Sequence, residues 1–290
     1  MRPLFMWAGG KTKMIKKYKP YLPTYFSSYH EPFLGGGAMF IWAYKENPTS
    51  SFYLNDCNKG IMQVYKSVKN DLPKFIQILD TLSGKYLPLS KSKRKSFYYK
   101  IREEHAFDFE KWDATEEAAH LYFLMKTGFN GLWQINKNTN NRFGTACGLL
   151  NQTDKVYDKE NVLAWHKALQ KATLTNKDYM ETLDAVGEDS FVFLDPPYRG
   201  CFTNYGTQVE DSFQKSVVEY AENCKNKKAI AFLCNRETGD GFFTELQGSN
   251  QLYKLDVTYT LGRRKKTEEG FKAKQATEIL LIADGRTPYF

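Results

Sequence analysis

Short, unbroken apolar runs alternate along this chain with longer stretches of mixed polarity. The sharpest run is Phe191-Val192-Phe193-Leu194. Two Phe residues and a β-branched Val without a polar break predict a strand covered on both faces. The run stops at Asp195-Pro196-Pro197-Tyr198. Neither proline can continue a sheet ladder, and Pro197 excludes Pro196 from the helical region. The stretch reads as a strand ending in a stiff turn that presents a carboxylate, a carbonyl edge and an aromatic ring. In open α/β sheets, ligands bind at that carboxyl edge.

The same patterning predicts the neighbouring elements. A short strand ends near Phe33, and a helix begins near Ala38 with Phe40, Ile41 and Tyr44 turned inward. Gly35-Gly36-Gly37 joins them in a tight turn that lets a ligand approach the main chain. Ser51 to Asp56 is a second strand ending in an acid. Asp56 lies about 20 residues past Gly35, the spacing at which an acidic residue holds ribose hydroxyls. The sixth position from Gly35 is Phe40, not the glycine of a pyrophosphate fingerprint. A nucleoside cofactor without a pyrophosphate, such as S-adenosylmethionine, suits this loop better than a dinucleotide. Ala172 to Tyr179, Ala229 to Cys234, Leu252 to Tyr259 and Glu278 to Ile282 add strands, the third half-exposed by its alternation. A polar loop from Thr203 to Asp211 leads into a helix from Ser212 to about Asn223.

From about Gly60 to Asp158 the character changes. Lys91-Ser92-Lys93-Arg94-Lys95 opens a helix carrying Phe97, Tyr98, Tyr99 and Ile101, and another helix covers Thr115 to Lys126. Asn130-Gly131 is a turn signal, and Trp133 and Ile135 alternate with polar neighbours, which predicts a hairpin. Asn, Gln and Arg are the side chains that read adenine and guanine edges in the major groove. A polar surface loop has the same composition. The segment reads as an inserted domain with a binding face.

Composition narrows the partner. With 42% hydrophobic and 26% charged residues in 290, the chain is an ordinary globular protein. Its net charge of +8 favours a polyanion. Arg263-Arg264-Lys265-Lys266 would make phosphate contacts beside such a partner and is otherwise a solvated loop. The five cysteines are scattered without a CxxC pair, which fits free thiols in a reducing cytoplasm rather than disulfides or a metal site. No apolar run reaches the about 18 residues of a membrane span. Gly10-Lys11-Thr12 ends like a P-loop, but Phe5 stands where the first glycine belongs and no strand precedes it. Trp7 to Lys11 reads instead as a close approach of backbone to ligand beside an aromatic face and a cation.

The turn suits methylation of an exocyclic amine. Such a nitrogen shares its lone pair with the ring and is a poor nucleophile. Asp195 and the Pro196 carbonyl can accept its two N–H bonds and aim the lone pair, while Tyr198 offers a face to an extruded base. The prolines hold this geometry in advance.

Taken in order, Trp7-Ala8-Gly9-Gly10-Lys11, Glu31-Pro32-Phe33-Leu34-Gly35-Gly36-Gly37, Asn55-Asp56-Cys57-Asn58, Phe129-Asn130-Gly131-Leu132 and Asp195-Pro196-Pro197-Tyr198 resemble the motif series of Dam-like DNA adenine-N6 methyltransferases. The resemblance spans nearly the whole chain. It implies a Rossmann-like S-adenosylmethionine-dependent core in 1–59 and 159–290. A mainly helical target-recognition domain with a hairpin would occupy 60–158. It implies that Asp195, Pro196, Pro197 and Tyr198 are catalytic. Trp7, Lys11, Phe33, Gly35, Asp56 and Asp195 would hold the cofactor. Lys93, Arg94, Asn130, Gln134, Asn136 and Arg142 are the candidate contacts to double-stranded DNA. No metal, membrane or obligate protein partner is expected, and the cytoplasm of a bacterial or phage-infected cell is the expected setting. Gln134 stands where such relatives carry Arg, and Arg142 to Gly148 lacks their Asn and Pro. The resemblance thus extends to adenine methylation rather than to the usual GATC target. An RNA or protein-amide methyltransferase, or an inactive DNA-binding relative, is the alternative.

Overall fold

In the computed structural model the apolar runs assemble into one seven-stranded sheet. The structure describes residues 1–7, 9–151, 154–200, 209–259, 265–267, 270–272 and 274–286. In chain order the strands are β1 (Ser28–Glu31), β2 (Ser51–Asn55), β3 (Ile135–Asn136), β4 (Arg142–Phe143), β5 (Ala172–Thr175), β6 (Ser190–Leu194), β7 (Ile230–Arg236), β8 (Gln251–Tyr259), β9 (Lys265–Thr267), β10 (Gly270–Lys272) and β11 (Lys274–Asp284). The helices are α1 (Ile15–Tyr18), α2 (Ala38–Glu46), α3 (Lys59–Asn70), α4 (Leu72–Tyr86), α5 (Lys91–Phe107), α6 (Ala114–Thr127), α7 (Lys159–Leu169), α8 (Asp211–Asn226) and α9 (Phe242–Leu246).

The sheet runs β5-β2-β1-β6-β7-β11-β8. Its first five strands are parallel, and β11 is antiparallel to both β7 and β8. β6 is buried throughout, as its unbroken apolar run requires. Phe191 and Phe193 point into one core and Val192 and Leu194 into the other, the period of two of a strand. β1 stops at Glu31 because Pro32 has no N–H to offer the ladder. From β1 the chain winds outward to β2 and β5, then returns to β6 and winds the other way to β7. The carboxyl ends of β1 and β6 therefore border a crevice, where α/β sheets bind ligands.

Helices α3 to α6 extend the core rather than hanging from a linker. The apolar cluster around Phe191 continues through Trp165 and Tyr65 to Tyr122 and Phe123. Asp113 and Glu116 form a capping box that starts α6 where its apolar pattern begins. The hairpin differs from expectation in one respect. Asn130-Gly131 is not its tip but a separate tight turn, with Asn130 at φ 52° and Gly131 at φ 62°. Glycine is required at 131 because a Cβ there would collide with Met6. The antiparallel pair is β3 with β4, and the chain reverses through Asn140 and Asn141, at φ 53° and 54°. Asparagine tolerates that left-handed region better than most residues, so the reversal was encoded in Asn140-Asn141.

Of the expected Thr203–Asp211 loop, 203–208 lie outside the described residues, as do Arg263 and Arg264. Among the described residues no helix is long and apolar enough to cross a membrane. Replacing Phe191 by Ala is expected to destabilise the fold by about 3–5 kcal/mol, because it opens a cavity beside Phe26, Tyr29 and Phe232. The measurement is the midpoint of urea unfolding, and an unchanged midpoint contradicts this packing.

Candidate active site

The turn after β6 is held from several sides. Lys11 Nζ lies 2.7 Å from the Asp195 carboxylate and also donates to the Gly9 carbonyl at 2.7 Å. The lysine is buried while the carboxylate keeps about a fifth of its side-chain surface exposed, so Asp195 forms the mouth of the site. Burial works against the Lys11 charge, but Asp195 and Glu278 outweigh it and raise its pKa. Burial raises the Asp195 pKa, with Lys11 opposing. The same ammonium stands 4.8 Å above the centre of the Tyr198 ring. Tyr198 donates its hydroxyl to Glu278 Oε2 at 3.1 Å. Burial, then the Asp195 carboxylate, push that hydroxyl well above the usual phenol range, which keeps it a donor.

The backbone of the turn has its own fastening. Gln214 Nε2 donates to the Pro197 carbonyl at 2.8 Å, and Asn235 Nδ2 donates to Gln214 Oε1 at 2.7 Å. Asn235 Oδ1 accepts from the Arg199 and Arg236 backbone N–H groups at 3.0 and 2.9 Å. The Arg199 guanidinium is clasped by Asp211 and Asp240 and lies 4.2 Å over the Phe242 ring.

The glycine loop forms the adjoining wall. Asp56 accepts the Gly35 N–H on one oxygen and the Asn58 N–H on the other, each at 2.9 Å. Gly35 has φ +48°, and a Cβ there would stand 2.7 Å from Trp7 Nε1, so only glycine lets the loop lie on the indole. Tyr65 donates its hydroxyl to the Gly35 carbonyl at 2.9 Å. Phe33 packs on Tyr179 at 5.0 Å between ring centres. Burial raises the Asp56 pKa to about 6, partly offset by its two backbone donors. Glu31, buried beneath the loop with the Tyr29 hydroxyl at 2.8 Å, feels the charges of both Asp195 and Asp56. The two walls thus border the crevice at the carboxyl ends of β1 and β6, the basin of the candidate site.

Lys11, Asp195 and Tyr198 meet at the turn, Trp7, Gly35 and Asp56 meet at the glycine loop, and Phe33 packs on Tyr179. The candidate DNA contacts divide. Lys93, Asn130, Gln134 and Asn136 are exposed, although the Asn136 side chain also caps the Asn138 N–H. Arg94 does not match its expected role: it is buried, lies 5.1 Å over the Tyr86 ring and donates to the Leu87 and Leu150 carbonyls. It sits four residues before buried Tyr98, on the packed stripe of α5. Arg142 is likewise committed, to Glu117, to the His105 carbonyl at 2.8 Å and to the Phe109 ring. Glu278, Gln214 and Asn235 escaped the sequence reading. Each carried a signal: a polar residue in an otherwise apolar strand or helix stripe is buried only with partners.

Comparison with known proteins agrees with this geometry. Residues 7–261 match the family model described as D12 class N6 adenine-specific DNA methyltransferase. The type II methyltransferase M.MjaIII of Methanocaldococcus jannaschii is 29% identical over 97% of this chain and 98% of its own length. The type II methyltransferase M.CviBI of Paramecium bursaria Chlorella virus NC1A is 29% identical over 71% of this chain and 72% of its own. A DNA adenine methylase of Haemophilus influenzae is 26% identical over 96% and 93%. A mostly parallel sheet, a glycine loop set against an acid, and an Asp-Pro-Pro-Tyr turn at the crevice thus coincide with a match over most of the chain, and the protein belongs to the D12 class of adenine-specific DNA methyltransferases.

Proposed function

We propose that this methyltransferase takes its methyl group from S-adenosylmethionine and delivers it to the N6 amine of an adenine extruded from double-stranded DNA. The observation that carries this reading is the buried Lys11–Asp195 pair, which sets the Asp-Pro-Pro-Tyr turn beside the glycine loop. The basin fits such a cofactor. Asp56 uses one acceptor site on each oxygen for backbone and keeps further lone pairs for ribose hydroxyls. Gly35 offers main chain where any side chain would strike Trp7. Phe33 and Trp7 bound the loop with apolar surface. When bound, S-adenosylmethionine supplies an electrophilic methyl group.

The chain supplies orientation and electrostatics. With the Pro197 carbonyl taken by Gln214, the acceptors for the two amine N–H bonds are Asp195 and the Pro196 carbonyl. They draw electron density onto the nitrogen and aim its lone pair. As the nitrogen becomes cationic, the Asp195 charge stabilises it, and Lys11 keeps that carboxylate in place. Tyr198 has one ring face under the Lys11 ammonium and offers the other to the base. Residues 60–158 act as the target-recognition unit, presenting Lys93, Asn130, Gln134 and Asn136 to duplex DNA in the cytoplasm. Arg94 and Arg142 leave that set for structural duty.

Asp195→Asn keeps a side chain beside Lys11 but removes the negative charge. Single-turnover methyl transfer is expected to fall about 10²–10³-fold, and the unfolding midpoint is expected to fall as well, because the buried Lys11 ammonium loses its counter-charge. Transfer at the original rate contradicts the role of Asp195. A pH series tests Asp56. Its folded-state pKa of about 6 lies above the unfolded value, so stability falls as pH rises toward and through 6. Ribose hydroxyls donate to the ionised form, so cofactor affinity moves the opposite way. Calorimetry is expected to show a dissociation constant that is flat above pH 7 and weakens about tenfold per unit below 6. A flat profile from pH 5 to 8 removes Asp56 from the cofactor site. Duplex binding should weaken steeply with added salt, and no salt dependence contradicts phosphate docking.

A further inference from the structure

We propose that Glu278 is a positioning residue that sets the plane of the Tyr198 ring. The inference rests on the reading that Tyr198 stacks the extruded adenine. The backbone of the turn is already fixed by two prolines and by the Gln214–Asn235 relay on the Pro197 carbonyl. What remains free is the rotation of the Tyr198 side chain. A stacking platform that rotates cannot present the amine to Asp195 at a constant angle, and misplacement by an ångström lowers rate steeply.

Glu278 removes that freedom. It enters the site from β11, a strand separated from β6 by β7, and its carboxylate is buried. Oε2 accepts the Tyr198 hydroxyl at 3.1 Å and stands 3.4 Å from the Tyr18 hydroxyl. Tyr18 is itself fully buried against Phe193, so the carboxylate is anchored to the core. The Tyr198 ring is therefore held at its tip by Glu278 and covered on one face by Lys11. A carboxylate placed among apolar strand residues is unfavourable unless it is bonded. Its lining of tyrosine hydroxyls and the nearby Lys11 charge provides that, and the product is a fixed ring.

The test is a double-mutant cycle on single-turnover methyl transfer. A duplex carrying 2-aminopurine at the methylated adenine gives a separate readout of base extrusion. Tyr198→Phe keeps the ring and removes the tether. It is expected to lower the rate about tenfold or more, the worth of one hydrogen bond to a charged acceptor. The 2-aminopurine signal should fall with it, and the dissociation constants for S-adenosylmethionine and duplex should change less than about twofold. Glu278→Ala is expected to match this loss, Glu278→Gln to recover most of it, and the double variant Tyr198→Phe/Glu278→Ala to be no worse than either single one. Losses that multiply, or a Tyr198→Phe protein with unchanged rate and signal, overturn the proposal. Tyr198→Phe leaves the buried carboxylate in place and decides the matter even if Glu278→Ala does not fold. Tyr198→Leu separates the two layers. Full activity and signal in Tyr198→Leu overturn the stacking reading and this proposal together. Loss in Tyr198→Leu with multiplying losses in the cycle overturns this proposal alone.

Discussion

The structure depends on one ion pair. Lys11 and Asp195 are 184 residues apart in the chain, yet their charges meet at 2.7 Å, the lysine buried and the carboxylate about a fifth exposed. Such a pair is worth keeping only where geometry is good and the remaining donors are used. Both conditions hold: the Lys11 ammonium also serves the Gly9 carbonyl and the face of Tyr198. The pair stitches the segment before β1 to the carboxyl end of β6. With Lys11 anchored there, Trp7 lies under Gly35, and the glycine loop and the Asp-Pro-Pro-Tyr turn flank the same crevice.

That basin separates chemistry from choice. The turn is determined several times over, by its prolines, by Gln214 and Asn235 beneath it, and by the clasp on Arg199. The groups proposed to read DNA lie elsewhere, on α5 and around the β3–β4 hairpin, and are exposed. The continuous apolar core from Phe191 to Phe123 joins the two regions mechanically.

Much of this was legible in the residues. Phe191 to Leu194 declared a buried central strand, Pro196-Pro197 its stop, and Gly35-Gly36-Gly37 a tight turn between strand and helix, because each is a local constraint with few physical solutions. Asn130-Gly131 is the stronger turn signal in isolation and does make a tight turn, but not the one that joins β3 to β4. Its glycine answers to Met6, a contact 125 residues away in sequence, whereas the weaker Asn140-Asn141 pair makes the reversal. The placement of Arg94 and Arg142 was not legible, because an arginine in a basic or polar run looks solvent-facing. Only the packing of α5 against Tyr86 and the reach of Glu117 reveal them as braces. Glu278, Gln214 and Asn235 act across strands and helices distant in sequence. Their meeting point is a property of the sheet order, which no single window of sequence contains.

The Asp195–Tyr198 turn is proposed to methylate adenine in DNA at a defined site. The most direct measurement incubates the purified protein with S-adenosylmethionine and DNA of mixed sequence, then maps every modified base. N6-methyladenine confined to one short recurring sequence is the expected result. An absence of methylated adenine, or methylation of adenines without regard to neighbouring sequence, contradicts it.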